Sequence, residues 1–383
     1  MKPLLQCRPL KSHSRTLLPL LLLLMVLGLS SWSVAGDFGA AGRNTWRATG
    51  SMKDERWWFT LTTLLNGKVL AAAGYTYEDF YLDSAELYDP VTRTWSTTDS
   101  LKNARFSHTA TLLLDGRVLV AGGYNGSVSM TSVEIYDPVR GRWTRTNPLH
   151  VGREEHMATL LQDGKVLVTG GYNDGHGTLA KSETFDPATG QWTTTSDMND
   201  PHWWGTATTL LDGRVLVTAG GGVSGPQTSC ELFDPVTRAW TYTGPLHDAR
   251  LLQTATLLAD GRVLVVGGQD SFNNSIDTAE VWDPLTGAWT LVGSLHDPRA
   301  RHTAARLPDG RVLVAGGEDY QGIGTLASAE IFDPATSAWT VTRQLVTGRE
   351  QHATATLRNG RIMVAGGYDQ TGDGLGSAEL FTP

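Results

Sequence analysis

Short apolar runs and turn residues alternate along this chain, and residues 108–145 show the pattern once. From His108 to Leu114 small and β-branched positions alternate, as in a strand with two unlike faces. Asp115-Gly116 follows, a two-residue hairpin signal whose central positions favour positive φ. Arg117 to Ala121 is an apolar run suited to burial on both faces, ended by Gly122-Gly123. After a longer loop, Ser132 to Tyr136 reads as a third strand that Asp137-Pro138 terminates. A fourth strand carries Trp143. The pattern predicts four short strands, here called A to D, in one antiparallel sheet.

The unit recurs. Asp-Gly or Asn-Gly pairs start at Asn66, Asp115, Asp163, Asp212, Asp260, Asp309 and Asn359, in steps of 49, 48, 49, 48, 49 and 50. A tryptophan recurs in register at Trp46, Trp95, Trp143, Trp192, Trp240, Trp289 and Trp339. An aromatic-Asp-Pro lies between them, as in Tyr136-Asp137-Pro138, and ends degraded as Phe381-Thr382-Pro383. Radial repetition of four-stranded units predicts an all-β fold, a seven-bladed β-propeller. The seventh unit stops after strand C, and the first begins with a lone strand D around Trp46. The N-terminal strand is therefore expected to close the ring inside the last blade, which removes two free edges.

Val-Leu-Val-Ala-Gly-Gly-Tyr, then Glu-Ile-Tyr-Asp-Pro, then Trp143 make a unit that resembles the kelch motif, and the resemblance covers residues 44–383. The form with Asp-Gly-Arg-Val before the glycines is similar to the propeller of galactose oxidase-like proteins. Two units depart, with Ala73-Gly74 and Ala219-Gly220 in place of the glycine pair.

Composition narrows the function. The chain has 383 residues, 40% hydrophobic and 18% charged, too apolar for disorder. Two cysteines exclude a disulfide scaffold and a Cys-rich zinc module. A net charge of -8 argues against a nucleic-acid partner. Lys2, Arg8, Lys11 and Arg15 precede an apolar stretch from Leu17 to Leu29, and Ser33-Val34-Ala35 offers small residues for cleavage. That stretch is shorter than the ~20 residues of a spanning helix. Residues 1–35 are read as a signal peptide and 36–383 as the propeller. The expectation is a secreted or periplasmic protein, monomeric, with no membrane attachment after cleavage. The mature chain would keep one thiol, Cys230.

Repeated residues read as scaffold. A glutamate recurs on strand C at Glu86, Glu134, Glu183, Glu231, Glu280, Glu330 and Glu379. An arginine precedes strand A at Arg56, Arg105, Arg153, Arg250, Arg299 and Arg349, with His202 in its place in the fourth unit. Seven like carboxylates are expected to be buried and bonded within the blades. Function is expected where units differ, at the channel mouth on the face of the B–C and D–A loops. There the third position after the arginine reads Phe59, His108, His156, Gly205, Gln253, His302 and His352. The expected ligand site has His108, His156, His302 and His352 as its floor. Its walls are Trp58, Glu155, Trp204, Arg301 and Gln351. Trp57, Trp203 and an aromatic B–C loop in the first unit (Tyr75, Tyr77, Phe80, Tyr81) also break the repeat, beside the carboxylates Glu154, Glu155 and Glu350. Such rings suit stacking on sugars or on cations.

In the copper-radical oxidases that the repeat resembles, a histidine ligand of this kind follows a tyrosine. Here the preceding residues are Ser107, Glu155, Arg301 and Gln351, and no Tyr-His pair exists. His-Thr-Ala-Thr is a repeated strand pattern, so these histidines read as structure; no metal and no cofactor is expected. Asp369-Gln370-Thr371-Gly372-Asp373-Gly374 resembles a calcium loop, but its twelfth position is Leu380, and a glycine-rich hairpin is the expected reading. The sequence thus points to a binding module for a glycan, peptide, small molecule or protein partner. The alternative is an enzyme in the same funnel, oxidase-like or sugar-isomerising.

Overall fold

The computed structural model describes residues 43–322 and 324–383; the expected signal peptide lies outside them. The second unit forms strands Thr109–Leu112, Val118–Ala121, Val133–Asp137 and Arg142–Arg145, hydrogen-bonded in that order. Seven such four-stranded antiparallel sheets are present, and no helix occurs among the described residues. The strands are shorter than the sequence pattern predicts, because His108, Arg117 and Ser132 stand outside the ladders.

Strand B is apolar throughout because a blade has neighbours on both faces. Leu119 and Ala121 pack with Val166, Val168 and Phe185 of the next blade. Val118 and Val120 pack with Leu70, Ala72 and Ala85 of the previous one. Register then puts Tyr136 opposite Trp143, with ring centroids 5.0 Å apart. The innermost strands pack side to side around the ring, and that of blade seven (Ala353–Thr356) meets that of blade one (Thr60–Thr63). The N-terminal strand, Thr45–Ala48, pairs with Ala378–Thr382 so that Trp46 faces Phe381, and it becomes the outer strand of blade seven.

One buried ion pair sets the geometry of six of the seven blades. In blade two, Arg105 donates from Nη2 to Glu134 at 2.8 Å. Its Nη1 donates to the carbonyls of Gly122 (2.8 Å) and Ser132 (2.9 Å). Glu134 also accepts the backbone N–H groups of Lys102 (2.7 Å) and Asn103 (3.1 Å). The pair thus ties the end of strand B, the start of strand C and the D–A loop at one point. Blades one, three, five, six and seven repeat it with Glu86, Glu183, Glu280, Glu330 and Glu379. In blade four the imidazole of His202 stands beside Glu231 at 3.5 Å and bonds the Ala219 carbonyl at 2.7 Å.

The glycine pair has a steric cause. Gly122 has φ +62°, and a Cβ there would run into the Arg153 carbonyl and the His156 ring of the next blade. Ala73 and Ala219 take the same left-handed conformation, φ 56° and 50°, at a cost of roughly 1–2 kcal/mol each. The aromatic B–C segment of blade one is an extended hairpin, not a loop: its strands run Val69–Thr76 and Phe80–Asp89, and Tyr75 pairs with Tyr81.

Two outcomes follow for stability. Trp46 is 7% exposed, so Trp46→Ala, or deletion of 44–49, should cost ~3–5 kcal/mol through the cavity and opened edge. An unchanged thermal midpoint would sink ring closure. Glu134→Ala strands the fully buried Arg105 and should also cost ~3–5 kcal/mol by denaturant titration, whereas Glu134→Gln, still an acceptor, should cost less.

Candidate functional site

The chain leaves each clamp arginine and climbs to the channel mouth. One residue on, it bridges to the residue after the glycine pair: Phe106 to Tyr124, Glu154 to Tyr172, Trp203 to Gly221, Ala300 to Glu318, Glu350 to Tyr368. The D–A and B–C segments are thereby pinned together. The next residue has positive φ in all seven blades: Trp58 49°, Ser107 51°, Glu155 53°, Trp204 50°, Leu252 59°, Arg301 53° and Gln351 51°. None is glycine, so each stores roughly 1–2 kcal/mol of strain. Backbone bonds of 3.0–3.4 Å join them, each N–H from Ser107 round to Gln351 donating to the belt carbonyl of the blade before. This belt is a ring of seven side chains, no two alike except the pair of tryptophans.

Five of the sequence-predicted site residues, Trp58, Glu155, Trp204, Arg301 and Gln351, share the belt. The aromatic side is braced from behind. Trp58 stacks on Phe106 (5.4 Å, 26°), and Phe106 stacks on Tyr81 (5.8 Å, 11°). Trp204 stacks on Trp203 (4.3 Å, 24°). Trp57 is 2% exposed and packs on Tyr75 and Tyr77, so it belongs to the wall and not to the opening.

The polar side holds carboxyls in dry surroundings. Burial, with Glu154 adjacent, pushes Glu155 up to about 8 against the opposing pull of Arg301. Burial raises Glu154 to about 7; the Ser129 hydroxyl, which donates to it at 3.2 Å, works the other way and Asp174 adds to the rise. Burial and Glu318 raise Glu350 to about 7. Arg301 lies between them: Nη1 is 2.9 Å from Glu318 and 3.5 Å from Glu350, and the guanidinium sits 5.6 Å from the Tyr320 ring centroid. Gln351 donates to the Tyr368 hydroxyl at 3.1 Å.

The four histidines do not form an open floor. Each turns into the wall between blades, 5–7% exposed, with Nε2 on a threonine hydroxyl of the preceding blade. The pairs are Thr60–His108 (3.1 Å), Thr109–His156 (2.8 Å), Thr254–His302 (2.9 Å) and Thr303–His352 (2.9 Å). Burial, helped by the neighbouring clamp arginine, lowers His108 and His302 to about 3 and His156 and His352 well below their usual range. Asp369 folds its loop by accepting the backbone N–H groups of Thr371 (2.9 Å) and Asp373 (3.2 Å).

Sequence reading missed Ser107 and Leu252 on the belt, and Glu318, Tyr320 and Tyr368 around Arg301. The position after the glycine pair was the available signal, since it changes from blade to blade while the glycines do not. On the opposite face the hairpins form near-equivalent clefts; one of about 500 Å³ lies between blades two and three, lined by Asp115, Arg117, Asp163, Lys165 and Asp186 among others.

Comparison with known proteins gives a family and a fold. The profile of the KLHDC2/KLHL20/DRC7 Kelch-repeats domain matches residues 59–268, and that of the Kelch motif matches residues 251–296. A novel fungal alcohol oxidase of the AA5 family, solved in complex with copper, is similar with TM-score 0.73 and 18% identity, over 89% of this chain and 77% of its own. That identity carries the fold alone. A search of curated proteins finds no match. The residues here do not fit copper. The mouth histidines are parted into separate interblade walls, and among the described residues no group of three or more His, Cys, Asp or Glu is placed to hold a metal ion. Cys230 is buried in the apolar core, its thiol pushed up to about 12.

The buried imidazoles make the fold acid-sensitive. In the unfolded chain each takes up a proton near pH 6.5, whereas in the fold His108 and His302 stay neutral down to about 3 and His156 and His352 are likewise held well below their usual range. Stability from this source is full above ~6.5 and falls as pH drops toward 3, by ~2 kcal/mol per histidine at about pH 5. Gln253 fills the same position in blade five, bonding the Thr218 carbonyl at 3.1 Å. His302→Gln should therefore fold and lose less stability between pH 7 and 5 than the parent, by denaturant titration at each pH. Parallel curves would refute the assignment.

Proposed function

The chain belongs to the Kelch-repeat family, and from that premise we propose that it is an exported binding module that holds its ligand on the belt at the channel mouth. The observation that carries this reading is the belt itself. Seven non-glycine residues are held in a strained conformation at one level, and their side chains differ from blade to blade. Strain kept in every blade at one ring marks a place where side-chain direction matters more than stability. The opposite face repeats one Asp-Gly hairpin, so a ligand there would meet near-identical sites. At the mouth an asymmetric ligand meets aromatic faces at blades one and four, a carboxyl between them at blade three, and an arginine with carboxyls at blades six and seven. Small-ligand sites combine these elements: apolar rings for contact area and a few polar groups for orientation.

Export is supported by the basic n-region, the short apolar stretch and the small residues before Gly36. Among the described residues, no helix is long and apolar enough to cross a membrane.

The test is a screen of immobilised glycans, peptides and small polar molecules, followed by variants. Trp204→Ala and Arg301→Ala should each weaken a hit by roughly tenfold or more, as expected for central aromatic and arginine contacts. Arg117→Ala on the hairpin face should leave it unchanged. The reverse pattern would place the ligand on the wrong face for this reading.

A further inference from the structure

Part of the belt has one-sided chemistry. From blade seven to blade four it runs Gln351, Trp58, Ser107, Glu155, Trp204. Two braced indoles are separated on the ring by a small serine and a glutamate. Two side-chain groups along this arc are acceptors with no donor among the described residues, while the Ser107 hydroxyl and the two indole N–H groups are able to donate. The Glu155 side chain makes no hydrogen bond and no ion pair with any described residue, although it is half-buried. Gln351, 9% exposed, donates through Nε2 to Tyr368 and leaves its buried Oε1 with no donor. The indole faces are themselves electron-rich. Such an arc suits a group that donates without accepting, or that presents a positive surface. An ammonium has three donors and no acceptor; its methylated form seats against aromatic faces.

The charges around Glu155 point the same way. Glu154 is adjacent, with Asp174 behind it through Ser129. Among the described residues Arg301, three blades away, is the one cation that acts on Glu155, and its Nη1 is already taken by Glu318 and Glu350. Glu155, Glu318 and Glu350 thus share one guanidinium. Farther out on this face Glu55 is raised by burial and by Glu78 and Asp373. A negative, partly dry funnel repels anions and concentrates cations.

We propose that this arc binds an alkylammonium head group, seated against Trp58 and Trp204 with Glu155 as its counter-ion. The proposal rests on the mouth being a binding site and names the ligand chemistry. It carries a proton linkage. Glu155 and Glu154, raised to about 8 and about 7, hold protons near neutrality. A bound cation must displace them, so binding should release protons and tighten as pH rises, levelling above ~8. An anionic ligand would show the opposite slope.

Calorimetry on the purified protein tests this, using tetramethylammonium and 1,5-diaminopentane as probes at fixed ionic strength from about pH 6 to about pH 9. Two buffers of different ionisation heat count the protons released. The expected result is affinity for at least one probe rising roughly a hundredfold over that range, with proton release. The stronger probe tells a methylated from a primary ammonium. Glu155→Gln should weaken binding roughly tenfold and flatten the pH slope, while melting at or above the parent because an unpaired, half-buried carboxyl is gone. Trp204→Phe keeps a ring and should retain binding; Trp204→Leu should not. Absence of binding by both probes at every pH, or binding that Glu155→Gln leaves unchanged, would overturn the proposal. If a neutral ligand is then lost in Trp204→Ala while neither cation competes with it, the ammonium assignment fails and the mouth stands. If no belt variant affects any ligand, the mouth fails as well.

Discussion

The buried arginine–glutamate pair is the interaction on which the rest of this propeller depends. A carboxylate and a guanidinium taken wholly out of water are expensive unless every lone pair and N–H is used. Here nearly all are: Glu134 takes two backbone N–H groups besides the arginine, and Arg105 spans two carbonyls. Apolar packing between blades would tolerate sliding; this pair does not, because its partners lie on three separate segments. It also lies two residues before the belt. The stiffness of the clamp is what allows the chain to carry a strained residue at the mouth in every blade.

Clamp and mouth divide the molecule energetically. In the clamps, charge is buried and paired, with only the Nε groups of Arg56, Arg299 and Arg349 left without an acceptor. At the mouth, Glu154, Glu155 and Glu350 are partly buried and poorly answered, which favours their protonated forms in the fold. Their folded pKa values lie above the unfolded one, so they withdraw stability as pH rises from about 4.5 up to about 7 and 8. The histidines next to them act in the opposite direction, withdrawing stability on the acid side. The two sets together narrow the pH range of greatest stability from both ends.

The architecture was legible because it is written seven times. Period, hairpin signal and apolar strand B gave blade number, strand order and closure; the clamp glutamates announced themselves as scaffold by their repetition. The mouth was legible only in part. Trp58, Glu155, Trp204, Arg301 and Gln351 could be found as departures from the repeat. The histidines one step later could not be told from them, since one residue along a strand turns a side chain from the opening into the wall. Arg301's companions come from a different segment, brought beside it by the bridge between Ala300 and Glu318. No spacing along the chain encodes that meeting.

Ring closure has a consequence for the order of events in synthesis. Thr45–Ala48 leaves the ribosome before any blade, yet its partner, Ala378–Thr382, comes last. Until then the growing array has two open ends, and each finished blade can pack only on the one before it. The early strand must wait unpaired while the sheets it will join are still being made. Once it docks, no blade can detach without first breaking that seam. Resistance to unfolding in this protein is therefore set less by the average strength of its blades than by the lifetime of a single four-residue zipper.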